Sequence, residues 1–316
     1  MPTISVVVPF LNEEDNLPVC CAFIEEKAQR AAYDVEVLFV DDGSSDGSVG
    51  VVSAYPFLHC KSVRLICLSR NFGSHAALRA GIKEATGDYC TYMGADLDEP
   101  EAMLDVMYDA IRQGYDAVYV EKTAMRISAF NRATSLMYSG LIRKFAVKNY
   151  SKHGINNIMF SRKIIDYLND NVEANSSIQL QIISAGYKST LIGMEYRERV
   201  SGTSKWSFSK KAKLFIDSFA SYSYAPIRLV SLIGFLFAFV GFVFGLYTIF
   251  TRIFNPAIVP GYATIVVLLL FGFGLTNISL GIMAEYLWRT FDAARNRPVF
   301  IVDDMVALRD AGASTD

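Results

Sequence analysis

The sequence has few of the residues from which disulfide frameworks and His/Cys metal centres are built. Its five cysteines all lie in the first third of the chain and form no C-x-x-C pair. An odd, unpatterned set of this kind indicates free thiols in a reducing compartment. The three histidines, His59, His75 and His153, are too scattered for a histidine-based metal site.

The signatures of several functional classes are also missing. A net charge of −2 without a basic block gives no indication of a nucleic-acid partner. Neither G-x-G-x-x-G nor G-x-x-x-x-G-K-[ST] occurs, so a dinucleotide site and a P-loop are unsupported. The opening "MPTISVVVPFLNEE" has no basic region before its short apolar run, so we expect no secretory signal there.

What the chain has in excess is apolar sequence, concentrated after residue 225. Residues 226–250 carry one charge, Arg228, and residues 261–288 carry one, Glu285. Each segment exceeds the roughly 20 residues needed to cross the hydrocarbon core. Two buried core helices are the alternative, but helices this long and apolar on every side are rare in soluble domains. The sequence therefore predicts two transmembrane helices with a short external loop over 226–288.

The charges that flank these segments predict their orientation. The connecting loop has only Arg252, whereas basic residues gather before the first segment and after the second: Lys205, Lys210, Lys211, Lys213, Arg289, Arg295 and Arg297. The positive-inside rule then places residues 1–206 and the tail 289–316 in the cytoplasm, as parts of a multi-pass protein of the cell (inner) membrane. Residues 207–225 are predicted to form an amphipathic helix at the membrane interface, or else a helix packed on the soluble domain.

Residues 1–120 alternate strand and helix patterns, which is typical of an α/β domain with a mostly parallel sheet covered on both faces. The predicted strands are 3–10, 34–42, 63–69, 88–96 and 116–120. The tail from 303 to 316 is polar, and we expect it to fray.

In such sheets ligands bind beyond the carboxyl ends of the strands. Polar residues follow four predicted strands in turn: Asn12 and Glu14, Asp41 and Asp42, Arg70 and Asn71, and Asp96 and Asp98. The last pair stands with Glu99 in "MGADLDEP" (93–100). Three acids there are typical either of a surface turn or of a hard cation that holds phosphate oxygens.

Four motifs together resemble the family 2 glycosyltransferases: "SVVVPFLNEEDNL", "VLFVDDGSSDGS", "LSRNFGSHAALRAGI" and "GADLDEP". With "RVSGTSKWSF", two apolar segments and "NRPVFIV", the chain is similar to the branch that transfers sugar to a polyprenyl or dolichyl phosphate. The resemblance implies a GT-A nucleotide-sugar-binding domain with a Rossmann-like mixed sheet, followed by the two transmembrane helices.

The resemblance also implies roles for particular residues. Pro9 and Glu14 would line the nucleotide pocket, although Glu14 could instead be an acid at a helix N-terminus. Asp42 would face the base, and Asp41 and Arg70 are assigned to the same pocket. Asp96 would hold the donor diphosphate through Mg²⁺ or Mn²⁺. Arg199 and Lys205 would neutralise phosphate charge at the reacting centre.

The chain departs from the family pattern in two places. Where the family usually reads D-A-D-L-Q-D-P, this chain has Gly94 for the first acid, and Asp98 could supply the missing carboxylate. Side chains alternate along an extended strand end, so Asp96 and Asp98 are predicted to point the same way and Leu97 into the core. Asp98→Asn should then cost a large part of the metal affinity that Asp96→Asn removes. Where the family has an acid proposed as the base, this chain has Ile155, Asn156 and Asn157; no carboxylate is present, and asparagine cannot take a proton. A lipid phosphate is already ionised and needs little activation, so transfer is still expected.

The predicted activity is inverting transfer of a sugar from a nucleotide-diphosphate sugar to a membrane polyprenyl phosphate, such as undecaprenyl phosphate, for cell-surface glycan modification. The alternatives are a different lipid or glycan acceptor, or a catalytically impaired relative that acts as a binding subunit. A basic cluster in residues 122–143 could bind the lipid phosphate or form a solvated face. A homo-oligomer is also possible.

Overall fold

The computed structural model describes residues 1–123, 140, 154–173, 177–196, 225–254, 261–295 and 297–310. The chain divides into two compact units. The first comprises Met1–Ser218 together with Pro298–Asp316, and the second comprises Phe219–Arg297. The chain therefore returns to the first unit after it has formed the second.

The first unit alternates strands and helices from its first residues. Its strands are β1 (Thr3–Phe10), β2 (Asp34–Asp41), β3 (Ser62–Leu68), β4 (Tyr89–Tyr92), β5 (Ala117–Lys122), β6 (Asn157–Ser161), β7 (Ser189–Met194) and β8 (Val302–Arg309). The helices whose bounds the structure describes there are α1 (Leu17–Arg30), α2 (Ser48–Ala54), α3 (Ser74–Glu84), α4 (Met103–Ile111), α5 (Arg162–Asp170) and α6 (Ile178–Ser184). The five predicted strands are confirmed, with shorter ends for β4.

The strands form one mixed sheet in the order β7-β5-β6-β4-β1-β2-β3-β8. β1 pairs in parallel with β2 and β4, and β3 continues the parallel set beside β2. β6 runs antiparallel between β4 and β5. This is the Rossmann-like mixed α/β arrangement expected from the sequence. It brings the carboxyl ends of β1, β2, β3 and β4 to one edge, which we call the site rim.

The central strands are apolar because both faces of the sheet are covered. Seven of the eight residues of β1 are buried, and Pro9 is half-buried. Val6, Val8 and Phe39 belong to one core cluster that also takes in α1 and α4. Strands buried on both faces read as continuous apolar runs, and this is the pattern that predicted them.

The expectation that the C-terminal tail frays is wrong for residues 302–309. They form β8, which runs antiparallel along β3 at the end of the sheet. The N–H of Ser69 donates to the carbonyl of Ile301 at 3.0 Å, and Arg309 Nη1 donates to the carbonyl of Phe57 at 2.8 Å. The physical reason is that β3 has unpaired backbone groups along this side, which the tail satisfies.

The second unit contains two helices, α7 (Ala225–Phe254) and α8 (Tyr262–Ala294). Phe237 of α7 stacks on Phe271 of α8 with ring centroids 6.1 Å apart. The two apolar segments are therefore helical, as predicted, and each helix extends beyond its segment. Among the residues that the structure describes, no helix is both long and apolar enough to cross a membrane, so the two predicted transmembrane helices are not confirmed. Residues 207–224 of the predicted interface helix, 207–225, lie outside the described residues.

Candidate functional site

The loops that follow β1 and β2 are joined to each other at the site rim. The Asn12 N–H donates to Ser44 Oγ at 2.9 Å, and the Ser45 N–H donates to Asn12 Oδ1 at 2.8 Å. Asn12 has a φ of 52°, in the left-handed region that asparagine tolerates better than most residues. These paired contacts hold the first polar motif against the second.

Glu14 is exposed, and its carboxylate accepts the N–H of Gly47 at 2.7 Å. Gly47 is the N-terminal capping position of α2. Glu14 therefore lies at a helix N-terminus, as its alternative interpretation predicted, although the helix is α2 and not the one that follows Glu14 in sequence. Its predicted contact with a nucleotide stays a prediction.

Asp41 and Asp42, at the end of β2, are both buried and both accept backbone N–H groups. Asp41 accepts the N–H of Ser44 at 2.9 Å. Asp42 accepts the N–H groups of Phe72 at 2.7 Å and Gly73 at 3.0 Å, and so fixes the loop after β3. Burial raises the pKa of Asp42; the two N–H donors oppose that shift and the Asp41 carboxylate adds to it.

The β2 loop also passes close to the β3 loop at Gly43. Its φ of 77° lies in the left-handed region, and a Cβ there would lie 2.7 Å from the carbonyl carbon of Arg70. Only glycine fits such an approach. Arg70 itself is exposed and stacks its guanidinium over the Phe72 ring at 4.1 Å, which keeps a positive charge at the site rim.

Residues 94–99, which we call the acidic loop, turn sharply after β4. The N–H of Leu97 donates to the carbonyl of Gly94 at 3.4 Å, and Leu97 has a φ of 51°. Its side chain packs against the core, as predicted. The premise that Asp96 and Asp98 point the same way along an extended strand is wrong, because the chain leaves the strand at Tyr92 and turns at Leu97.

Asp96 lies over the position where the family's first acid is missing. A Cβ at Gly94 would lie 2.5 Å from Asp96 Oδ1, so the Asp96 carboxylate fills that space itself. Within the described part of the chain, no group of three or more His, Cys, Asp or Glu side chains could hold a metal ion. A single carboxylate is compatible with Mg²⁺ beside a phosphate, because this cation usually shares its ligand shell with water and phosphate oxygens.

Asp98 has a protein cation beside it. Its carboxylate forms an ion pair with Lys122 Nζ at 3.3 Å, and both side chains are largely buried. The same Nζ lies 4.2 Å from the centroid of the Tyr196 ring. This pairing gives Asp98 a role other than the metal ligand predicted from the sequence, which remains untested.

Glu99 is the acid that the sequence analysis left without a role. Its side chain is buried, and Oε1 accepts the N–H of Gly94 at 2.8 Å and Asn157 Nδ2 at 3.2 Å. Oε2 is buried without a hydrogen-bond partner among the described residues. Burial raises the pKa of Glu99 to about 7, with a smaller contribution from the Asp98 charge. The number of acids in "MGADLDEP" signalled the site, but not which acid would be buried.

Asn156 and Asn157 lie beside the acidic loop, where β6 begins. The carbonyl of Asn156 accepts the Tyr92 hydroxyl at 3.0 Å and Gln179 Nε2 at 3.1 Å. Asn157 is buried and its side-chain amide donates to Glu99. Sequence reasoning named Asn156 and Asn157 only as the residues that replace the family's acid. It missed the contacts of Asn157 and the residues Gln179 and Tyr196, because these contacts join distant parts of the chain.

The structure brings most of the predicted site residues to the rim. Pro9, Asp41 and Asp42 lie at the paired ends of β1 and β2, where Pro9 is in register with Val40. Arg199 and Lys205 lie outside the described residues, and so does most of the basic cluster of residues 122–143.

Comparison with known proteins identifies the family of this chain. The model of the family described as "Glycosyl transferase family 2" matches residues 5–169, which include the site rim and both asparagines. The chain belongs to that family. It is therefore a glycosyltransferase by descent, and its relatives match over nearly its whole length.

Two relatives match this chain along nearly its whole length. The undecaprenyl-phosphate 4-deoxy-4-formamido-L-arabinose transferase of Pectobacterium carotovorum subsp. carotovorum is 30% identical over 306 residues, which are 96% of this chain and 94% of that protein. The putative glycosyltransferase CsbB of Bacillus subtilis is 30% identical over 302 residues, covering 95% of this chain and 91% of its own.

Among solved structures, the mannosyltransferase PcManGT of Pyrobaculum calidifontis, in complex with GDP-Man and Mn²⁺, aligns with 92% of this chain and 88% of its own. The TM-score is 0.48 and the sequence identity 18%.

Proposed function

We propose that this chain is an inverting glycosyltransferase that moves a sugar from a nucleotide-diphosphate sugar to a membrane polyprenyl phosphate such as undecaprenyl phosphate. Its relatedness, end to end, to undecaprenyl-phosphate sugar transferases carries this proposal. The site rim supports it, because the rim gathers the residues that such a donor needs: carboxylates for a cation and backbone loops for a nucleotide.

On the donor side, Asp96 would hold Mg²⁺ or Mn²⁺ together with the donor diphosphate. The donor set is compatible with this group, since the Asp96 carboxylate lies in the acidic loop over Gly94 and such cations usually complete their shell with phosphate oxygens and water. When bound, the cation stabilises the negative charge that develops on the leaving diphosphate. Arg70, exposed at the same rim, adds a positive charge.

On the acceptor side, the reaction does not require a carboxylate base. A phosphate monoester is ionised at neutral pH, so its oxygen can attack the anomeric carbon of the sugar without first giving up a proton. Asn156 and Asn157 present no ionisable group where the family has its acid. We infer that these residues hold the geometry of the site and do not move protons.

The second unit is proposed to hold the enzyme at the membrane, with the first unit in the cytoplasm. In α7 and α8, large apolar side chains are exposed, among them Phe235 at 72%, Phe271 at 68% and Leu287 at 70%. Exposed apolar surface of this extent is typical of contact with lipid or another protein. Reporter fusions at residue 256 and after residue 300 test the orientation: we expect a non-cytoplasmic signal at the first and a cytoplasmic signal at the second.

The activity is tested with membranes that contain the full chain, undecaprenyl phosphate and a panel of nucleotide sugars. We expect mass spectrometry to detect a new glycosyl-phosphoryl lipid with one donor of the panel, and none with Asp96→Asn. Asp109→Asn, which neutralises an exposed acid of α4, is the matched control and should keep full activity.

A catalytically silent binding subunit is the second candidate, favoured by Gly94 and Asn156. Such a protein would bind donor and cation without forming a lipid product or hydrolysing the donor. Product in the extracted lipid fraction would exclude this candidate. A product found only on a different acceptor would instead show that the enzyme acts on another lipid or glycan.

A further inference from the structure

We propose that Asn157 and Tyr196 are positioning residues that hold the acidic loop in the shape in which Asp96 meets the donor's cation. The inference rests on the proposed function, because it assigns these two side chains to the same donor site. Neither residue belongs to the acidic loop itself. They reach it from β6 and from the segment that follows β7.

The side chain of Asn157 uses both of its polar ends. Its Nδ2 donates to Glu99 Oε1 at 3.2 Å and to the carbonyl of Tyr92 at 2.8 Å. Its Oδ1 accepts the Tyr196 hydroxyl at 2.7 Å. A primary amide has two donor hydrogens and one acceptor oxygen, so each group here has a partner. An amide that is 3% exposed and bonded on both ends has one orientation.

Tyr196 links this amide to Asp98, a second acid of the loop. Its hydroxyl donates to Asn157, and its ring lies under the ammonium of Lys122 at 4.2 Å. Lys122 in turn pairs with Asp98 at 3.3 Å. Burial, with the nearby acids Glu99 and Asp98, raises the pKa of Tyr196, so the phenol keeps the proton that it donates. Two successive acids of the loop are thus connected to one tyrosine.

The acidic loop needs such external support. Glu99 accepts the N–H of Gly94, which closes the loop from residue 94 to residue 99 with Asp96 between the two. Leu97 lies in the left-handed region with a φ of 51°, where a bulky L-residue is strained. Strained backbone persists only where surrounding contacts fix it. If Asn157 releases Glu99, we expect the loop to relax and Asp96 to lose its place.

Mn²⁺ binding to the detergent-solubilised full chain, measured by electron paramagnetic resonance with UDP and separately with GDP, tests the inference. We expect Asn157→Ala to weaken Mn²⁺ affinity about 10-fold, the size typical of lost outer-shell partners. Tyr196→Phe keeps the ring under Lys122 and removes only the hydroxyl, so it should weaken affinity less. Tyr196→Leu removes both contacts and should weaken it more.

Matched controls come from the same unit. Asn171→Ala removes an exposed amide that donates to the carbonyl of Tyr167 at 2.9 Å. Tyr187→Phe keeps a ring that also has a lysine over it, Lys163 at 5.0 Å. Both controls should bind Mn²⁺ like the parent. A double-mutant cycle then tests whether Asn157 acts through Glu99. When Glu99 is already replaced by alanine, Asn157→Ala should weaken Mn²⁺ affinity by less than a further twofold.

A purely structural role would give a different result. It would lower the melting temperature and the fraction of active protein, with Mn²⁺ affinity and donor KM unchanged in the folded fraction. That outcome would overturn the inference. So would a double variant whose loss of Mn²⁺ affinity equals the product of the losses caused by Asn157→Ala and Glu99→Ala alone.

If the parent takes up no Mn²⁺ with either diphosphate, the proposed cation site fails, and hydrogen exchange still tests the positioning role. Asn157→Ala should speed exchange in residues 93–99, and unchanged exchange there would refute the role.

Discussion

The site rim contains two pairs of acids that the fold holds in different ways. Asp41 and Asp42 accept N–H groups of the backbone, from Ser44, Phe72 and Gly73. Asp98 is paired with the side chain of Lys122, and Glu99 accepts the side-chain amide of Asn157 as well as the N–H of Gly94 in its own loop. Backbone N–H groups are present whatever the sequence, whereas a side-chain partner exists only if that residue is kept. The acidic loop is therefore the part of the rim whose geometry depends most on residues elsewhere in the chain.

The largest effect is expected at Asp96, the acid between the two ends of the acidic loop. Asp96→Asn removes a carboxylate that a neutral amide cannot replace as a ligand of a hard cation. Transfer to the lipid should fall at least about 100-fold, the loss typical of removing one group that stabilises the developing charge. Binding of the nucleoside diphosphate with Mn²⁺, measured by calorimetry, should fall with it. Parent-like calorimetric binding would show that Asp96 is not the ligand.

Replacing Asp41 or Asp42, the two acids that accept backbone N–H groups, should lower the stability of the fold more than it weakens metal binding. Asp42→Ala leaves the N–H groups of Phe72 and Gly73 without their acceptor, which costs about 1–3 kcal/mol for a buried group. We expect a lower denaturation midpoint and an affinity for Mn²⁺ within about threefold of the parent. Asp41→Asn keeps an oxygen for Ser44 and serves as the milder control. Loss of Mn²⁺ affinity without loss of stability in Asp42→Ala would contradict the contrast between the two pairs.

An effect on acid stability is expected at His75, in the first turn of α3. Its Nδ1 is buried without a hydrogen-bond partner among the described residues, and burial, together with the Arg79 charge, lowers the pKa of the imidazole. The unfolded chain then binds the proton more tightly than the fold does. The fold is therefore not destabilised by His75 above the ordinary histidine pKa of about 6.5. As the pH falls below that value, protonation of the unfolded chain lowers the free energy of unfolding.

His75→Gln should therefore reduce the fall in denaturation midpoint between pH 7 and pH 5. His59→Gln is the control, since that ring lies at the surface and pairs with Glu25 at 2.8 Å. An equal loss of midpoint in the parent and His75→Gln would show that the imidazole does not contribute to acid sensitivity.

The parts of the fold that could be predicted from sequence are those set by local pattern. β1 and β2 are uninterrupted apolar runs, and the polar residues directly after them had to lie at the carboxyl edge of the sheet. The family motifs, which are short and contiguous, added the ligand class expected at that edge. None of these inferences needed a contact between distant residues.

The parts that could not be predicted depend on distant partners or unusual backbone. β8 is a polar segment that becomes a strand only because β3 lies beside it, more than 230 residues earlier in the chain. Leu97 has no preference for a positive φ, so the turn that separates Asp98 from Asp96 had no local signal. Asn157 could be read only as a missing base until Tyr196 and Glu99 were found on either side of it.

The smallest effect is expected at Asp98, and it decides between the predicted and the observed role of that acid. The sequence predicted that Asp98 replaces the carboxylate missing at Gly94, so that Asp98→Asn would cost a large part of the loss seen with Asp96→Asn. In the structure its carboxylate lies 3.3 Å from Lys122 Nζ. The chain turns at Leu97, so Asp96 and Asp98 do not share one face of an extended strand, as that prediction assumed.

We therefore expect Asp98→Asn to weaken Mn²⁺ affinity by less than about threefold, an effect transmitted only through Lys122 and Tyr196. Lys122→Met, which removes the other half of the ion pair and keeps the side chain's length, should weaken it by a similar factor, and the double variant by no more than either one. A 10-fold loss in Asp98→Asn, reversed by Gly94→Asp with Asp98→Gln, would instead show that Asp98 leaves Lys122 to coordinate the cation. Manganese titration by electron paramagnetic resonance separates these outcomes, because it measures the affinity for the cation directly.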